Sequence, residues 1–202
     1  MPSTTKAGGH PNLSVAFAFS EPAGGVTSVA LHLPKGLAAH PRAVPFCSRT
    51  DLVRNLCLPR TKVGSLTATA VAYGIELPVT RYIHNVRPAA GEPLRLGVPI
   101  FGSYSRPGIA AELPAVERVA DHGLDLAVTG LPTEVAGIPI RISNVRVWLR
   151  GLVRVKQGKK VRKKPFITNP KTCTPAVSLL DVTFDQPPAI TGQSSFTPTG
   201  CP

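Results

Sequence analysis

"IPIRISNVRVWLRGLVRV", residues 138–155, is the stretch on which the fold turns. Apolar residues recur at Ile138, Ile140 and Ile142, then change phase to Val145, Val147 and Leu149. A period of two marks a strand with one buried face, because successive side chains point to opposite sides of a sheet. The phase changes at Ser143-Asn144, where one extra residue, a β-bulge, would return the apolar set to the same face.

The pattern repeats along the chain. "LSVAFAFS" puts Leu13, Val15, Phe17 and Phe19 on one face, and "VTSVALHL", after the turn "EPAGG", reads as its hairpin partner. "KVGSLTATAVAY", "LPVTRYIHNV", "LRLGVPIFGSY" and "GLDLAVTGLP" are further strands, "RPAAGEP" is a hairpin connection, and "AVSLLDVTF" is the last strand. "SRTDLVRNLC" predicts one helical turn with Ser48 or Thr50 as N-cap. The nearest approach to a longer helix, "IAAELPAVERVADHG", is interrupted by Pro114. The 22 prolines and 18 glycines among 202 residues punctuate the β-branched runs. The expectation is an all-β chain of roughly ten to twelve strands, a large β-sandwich or jelly-roll-like domain with short loops. It is read as one domain over 1–202, with a strand-rich core at 12–188 and a C-terminal tail at 189–202.

Four cysteines allow three pairings. Local closure favours Cys47 with Cys57 and Cys173 with Cys201. Loop entropy gives about 2.7 kcal/mol for the first bridge and about 3.6 kcal/mol for the second. The second bridge would staple "DQPPAITGQSSFTPTGCP", a stretch with little capacity to order itself. There is no CxxC and no histidine at ligand spacing, so the pattern speaks for disulfides in an oxidising compartment and against zinc. No 18-residue apolar run is present, and residues 1–4 have no signal-peptide pattern. The chain is therefore expected to be an excised extracellular or cell-surface domain rather than a cytosolic protein.

Residues 150–164 hold eight cations and no acid: Arg150, Arg154, Lys156, Lys159, Lys160, Arg162, Lys163 and Lys164. Removing these eight from the net charge of +12 leaves +4, so the basicity belongs to one segment. "VRVKQGKKVRKK" reads as a hairpin turning at Gln157-Gly158. Three roles are open: a solvated device that blunts a sheet edge, a contact for an anionic polymer, or a nuclear address. The interleaved residues are Val155, Gln157, Gly158 and Val161 rather than aromatics, so nucleic acid is not the expected partner. The solvated hairpin is favoured, with the anion-binding role of these eight cations as the alternative.

Catalytic and metal motifs are missing. His10, His32, His40, His84 and His122 are scattered, and no GxSxG, P-loop, dinucleotide fingerprint or HExxH occurs. "VADHGLD" brings Asp121, His122 and Asp125 together and is read as a turn before a strand rather than an acid–base site. Asn12-Leu13-Ser14 matches a glycosylation acceptor. No catalytic residue, metal or cofactor is expected.

Several blocks resemble a known group. "TTKAGGHPNLSVAF", "HLPKGLAAHPRAVPFCSRTDLVRNLC", "YIHNVRPAAGEPLRLG", "VADHGLDLAVTGLP" and "PFITNPKTC" occur in order. They are similar to "AGGHP", "LPPGL", two spaced cysteines, "VYNLVPPPGEPARFG", "GDYGL" and "PFLTNPTSC" in large secreted or surface-attached actinobacterial proteins of unassigned function. The blocks cover most of residues 4–188. The resemblance implies secretion and disulfide formation and carries over no catalytic residue. Two departures stand out. The group has "VPADPSHD" after "LWG", whereas here "LRG" leads into the basic hairpin, and "YNL" is replaced by "IHN" at residues 83–85.

The resulting expectation is a non-enzymatic extracellular β-sandwich module of the bacterial cell envelope, structural or adhesive. The alternative is a binding module for anionic polymers or polysaccharides through residues 150–164. The expected partners are a cell-envelope polymer or neighbouring copies of the domain.

Overall fold

The computed structural model describes residues 1–18, 24–100, 108–135, 137–158, 160–186 and 188–201. Two strands follow the amino-terminal segment, β1 (Leu13–Ala18) and β2 (Val26–His32), then the short β3 (Ala38–Ala39) and the helical turn α1 (Arg49–Val53). The long strands β4 (Lys62–Ala72) and β5 (Ile75–Asn85) lead through β6 (Arg95–Pro99) to β7 (Ala110–Glu117) and β8 (Leu124–Thr129). The short β9 (Glu134–Val135) and β10 (Ile138–Pro139) precede β11 (Arg141–Leu149). Then come β12 (Leu152–Gln157), β13 (Lys160–Pro165), β14 (Ile167–Thr168), β15 (Ala176–Phe184) and β16 (Ile190–Phe196). The chain is all-β.

Ten strands form one antiparallel sheet in the order β1-β11-β4-β5-β6-β7-β8-β2-β15-β16. The predicted bulge is present: the β11–β4 register slips between Ile142 and Asn144. The slip keeps Ile142 and Val145 on the buried side despite their odd spacing. At the β4–β5 turn, Ala72 pairs with Ile75, and Tyr73 (φ 50°) and Gly74 (φ 76°) lie between them. Positive φ at both loop residues is the tight-hairpin geometry that matches strand twist.

The sheet curls so that its halves face each other. Strand β7 makes the corner: residues 110–114 pair with β6, and residues 115–117 pair with β8. Pro114 sits at the transfer, where a residue without an N–H disturbs neither ladder. The main core draws from both halves, with Val63, Ile83, Leu96 and Val98 facing Leu124, Leu126 and the partly buried Leu31. A second cluster closes the curl, packing Phe17 and Ile142 against Val26, Val182 and Phe184.

Three sequence expectations need correction. β1 and β2 are not a hairpin: β1 pairs with β11, while β2 lies between β8 and β15. Each buries an apolar face in a different half, and the curl brings the halves together. Within the expected turn "EPAGG", residues 21–23 lie outside the described residues. "AVSLLDVTF" is not the last strand, because residues 190–196 of the supposed tail form β16 along β15. The basic hairpin does not blunt an edge of the main sheet. β12 and β13 form their own ladder, and the edges are β1 and β16.

The motif blocks turn out to be clamps. Asn169 of "PFITNPKTC" is 1% exposed, and its Nδ2 donates to the carbonyls of Thr4 (2.8 Å) and Lys6 (3.0 Å). Its backbone N–H donates to Gly9 O (2.8 Å) in the "AGGHP" block. Thr199 joins the same knot through backbone bonds with Thr5 and Ala7, both 2.9 Å. Asn85 of "IHN" is fully buried, and its Nδ2 donates to Pro41 O (2.8 Å) and Val44 O (3.3 Å). Both predicted disulfides are formed, Cys47–Cys57 and Cys173–Cys201. Ser48 caps α1 as expected, accepting from the Asp51 N–H at 3.0 Å.

Candidate functional site

The basic hairpin is rooted in the core. Val153 is 2% exposed within the main core, and Val155 packs against it. The ladder pairs Val153 with Lys164, Val155 with Arg162, Arg154 with Lys163 and Lys156 with Val161. Directly opposed residues share a face, so the cations divide. Arg154, Lys156 and Lys163 lie on the face opposite Val153. Arg162 and Lys164 share the valine face, Lys164 half-buried and Arg162 exposed. Lys160 opposes Gln157 at the tip. Lys159 lies outside the described residues.

Arg150 stands at the base, its guanidinium 5.6 Å from the centre of the Trp148 ring. A cavity of about 470 Å³ opens there, lined by His10, Asn12, Trp148, Arg150, Leu152, Arg154 and Lys163. Asn12 accepts from the Gly151 N–H at 3.0 Å and fixes the crossing between β11 and β12. The same carbonyl oxygen is thus occupied at the glycosylation-like triplet. Gly151 is required by space, since a Cβ there would lie 2.2 Å from Pro11 O and 2.3 Å from His10 O. His10 turns Nδ1 toward Ile167 O (3.3 Å) and Thr168 Oγ1 (3.2 Å), holding the rim.

Among the described residues, no carboxylate forms an ion pair with Arg150, Arg154, Lys156, Lys160, Arg162, Lys163 or Lys164. Two acids of the sheet are engaged with another cation. Glu92 and Glu112 grip Arg95, and the bond from Arg95 holds the Glu92 carboxyl below its ordinary range. Like charges therefore face each other across the hairpin, as Arg154 and Lys163 do, without local neutralisation. That arrangement costs stability in an isolated ladder.

"VADHGLD" builds no acid–base pair between His122 and its neighbouring aspartates. The His122 ring points to Glu117, Nδ1 to Oε1 2.7 Å. Asp121 and Asp125 instead bind Arg118, and Asp121 also accepts from the Gly123 N–H. The Arg118 hydrogen bond, aided by that backbone bond, lowers Asp121 to about 2. Burial acts to raise Asp125, but bonds from His32 and Arg118 outweigh it and its pKa falls. His32 links this turn to β15, with Nδ1 at 2.9 Å from Asp125 and Nε2 at 3.1 Å from Asp181.

Sequence reasoning had found the cations but not the cavity that joins them to Trp148, His10 and Asn12. The signal is present in β11, where Asn144, Arg146, Trp148 and Arg150 alternate with the apolar series Val145, Val147 and Leu149. No cluster of His, Cys, Asp and Glu suited to a metal occurs among the described residues, and none of their helices is long and apolar enough to cross a membrane. Compared with family models, curated proteins and solved structures, the chain matches none of them.

Proposed function

We propose that this chain is a non-enzymatic extracellular module of a bacterial envelope that adheres through an anionic polymer bound at the base of the basic hairpin. The observation that carries the reading is the cavity of about 470 Å³ in which Arg150, Arg154 and Lys163 meet Trp148. Cations with no ion-pair partner among the described residues, carried on a rooted hairpin, present a positive field to a polyanion, and an anion relieves their mutual repulsion. The two disulfides and the resemblance of "PFITNPKTC" and its companion blocks to secreted proteins support the compartment. The binding role is favoured over catalysis because Asp121, His122 and Asp125 are engaged in separate contacts with Arg118 and Glu117.

A salt titration tests it. Wild type should bind a soluble polyanion with log–log salt slope of about −0.7 to −0.9 per neutralised charge. The variant Arg154→Gln/Lys156→Gln/Lys163→Gln should lose that binding while unfolding at the same temperature. Binding indifferent to salt, or retained in the triple variant, contradicts the proposal.

A further inference from the structure

We infer that the polymer is an acidic polysaccharide whose binding face continues from the hairpin groove across the outward side of β1, β11, β4 and β5. The inference rests on the anionic-polymer reading above and adds its chemical class. Register defines the face. Ser14 opposes Trp148, Trp148 opposes Ser65, and Ser65 opposes Tyr82, so these four form one row. Ala16, Arg146, Thr67 and Thr80 form the next. The alternating row of Leu13, Leu149 and Ile83 belongs to the core, so the rows of Trp148 and Arg146 face outward.

A second cavity of about 500 Å³ lies on this side, lined in part by Ala16, Thr67, Asn144 and Arg146. The two cavities follow one strand: Arg150 and Trp148 serve the first, Arg146 and Asn144 the second. Trp148 and Tyr82 stand two strands apart, roughly 10 Å, with only Ser65 between them. Short side chains between two aromatics leave a shallow trough. Lys62 holds its Nζ 3.3 Å from the centre of the Tyr82 ring, placing a further cation at the far rim.

This combination fits one ligand chemistry. A pyranose has an apolar C–H face that lies flat on an indole, and a rim of hydroxyls for Ser, Thr and Asn. A uronate carboxylate suits the fork of Arg146 or Arg150. A polyphosphate would use the cations and leave Trp148 idle. A nucleic acid would want aromatics at successive positions, where this face carries Ser and Thr.

Trp148 is the chain's one tryptophan and lines the hairpin cavity as well as this face, so its emission reports on a ligand at either. The intact, disulfide-bonded protein is titrated with polygalacturonate, its methyl-esterified form, polyphosphate and poly(dT). Calorimetry is run in parallel on Trp148→Ala, Arg146→Gln and Arg154→Gln/Lys163→Gln. Polygalacturonate should shift the emission as a sugar ring covers the indole, and polyphosphate, which has no apolar face to lay on it, should bind with a smaller change. Trp148→Ala should weaken polygalacturonate by about tenfold and leave polyphosphate within about twofold, given the usual worth of one stacked ring. Arg146→Gln should weaken polygalacturonate alone, and the double variant should weaken both. The wild-type emission needs no variant, so the test stands even where Trp148→Ala lowers stability. Polygalacturonate binding that leaves the emission unchanged and ignores both Trp148→Ala and Arg146→Gln overturns the polysaccharide face while the hairpin reading survives. Tighter, Trp148-dependent binding of poly(dT) overturns it in favour of nucleic acid. Binding of none of these polyanions overturns the hairpin reading as well.

Discussion

His84 should make this protein lose stability steeply below neutrality. The residue is 3% exposed on β5, and its Nδ1 lies 2.8 Å from Thr61 Oγ1, whose hydroxyl donates to Leu58 O at 2.8 Å. Burial, with the Lys62 charge opposite in the ladder, lowers its pKa from 6.5 to about 4. In the unfolded chain the imidazole takes up a proton as pH falls through 6.5; in the folded chain it does not until about 4. Between those values the unfolded state binds more protons, so the stabilisation is complete above 6.5 and is lost as pH falls. Each pH unit is worth about 1.4 kcal/mol, giving a loss of about 1.4 kcal/mol at pH 5.5 and about 2.6 kcal/mol at pH 4.5. The assay is urea unfolding at several pH values with disulfides intact, comparing wild type with His84→Gln, which keeps a donor for Thr61 but does not titrate. The gap between the two proteins should change by those amounts, since carboxylates titrate alike in both. Parallel pH curves would refute the placement of His84 as a neutral buried ring.

Three further outcomes follow from the same contacts. Gly151→Ala pushes a methyl group into the carbonyls of His10 and Pro11, neither of which can swing away, and should cost about 3 kcal/mol in thermal or urea unfolding. Asn169→Ala removes the donor that joins Thr4 and Lys6 to the PFITNPKTC turn and should cost about 2 kcal/mol, with faster amide exchange in residues 4–9. Replacing Arg154, Lys156 and Lys163 with Gln should change stability by less than about 0.5 kcal/mol, or raise it slightly as the Arg154–Lys163 repulsion is relieved.

The sequence spoke clearly where the governing interaction is local. Alternating apolar residues marked β4, β8 and β15, and the change of phase in β11 located the bulge, because a strand's buried face is written in its own residues. The Ser48 cap and both disulfides were legible for the same reason: their partners lie close in the chain or near a strand end. Strand neighbours were not. Residues 13–18 and 26–32 are close in sequence, yet belong to opposite halves of a curled sheet, and only the shared core around Phe17 and Val182 decides that. β16 was missed because "ITGQSSF" is an edge strand, held by backbone bonds to β15 and needing little buried surface. The groove was not legible because the polar face of β11 is only the complement of Val145, Val147 and Leu149, and its partners on β4 and β1 are distant in the chain. Trp148 and Arg146 lie on that polar face.

The most direct test of the hairpin groove as the binding site is an ¹⁵N NMR titration of the whole chain with polygalacturonate at low salt. The indole N–H gives one cross-peak, from Trp148, and should move together with the amides of residues 146–156 and 160–164. The amides of the Arg118–Asp121–Asp125 turn and of β15 and β16 should stay where they are. Saturating shifts centred on that turn or on β16, with the Trp148 indole unmoved, would contradict it.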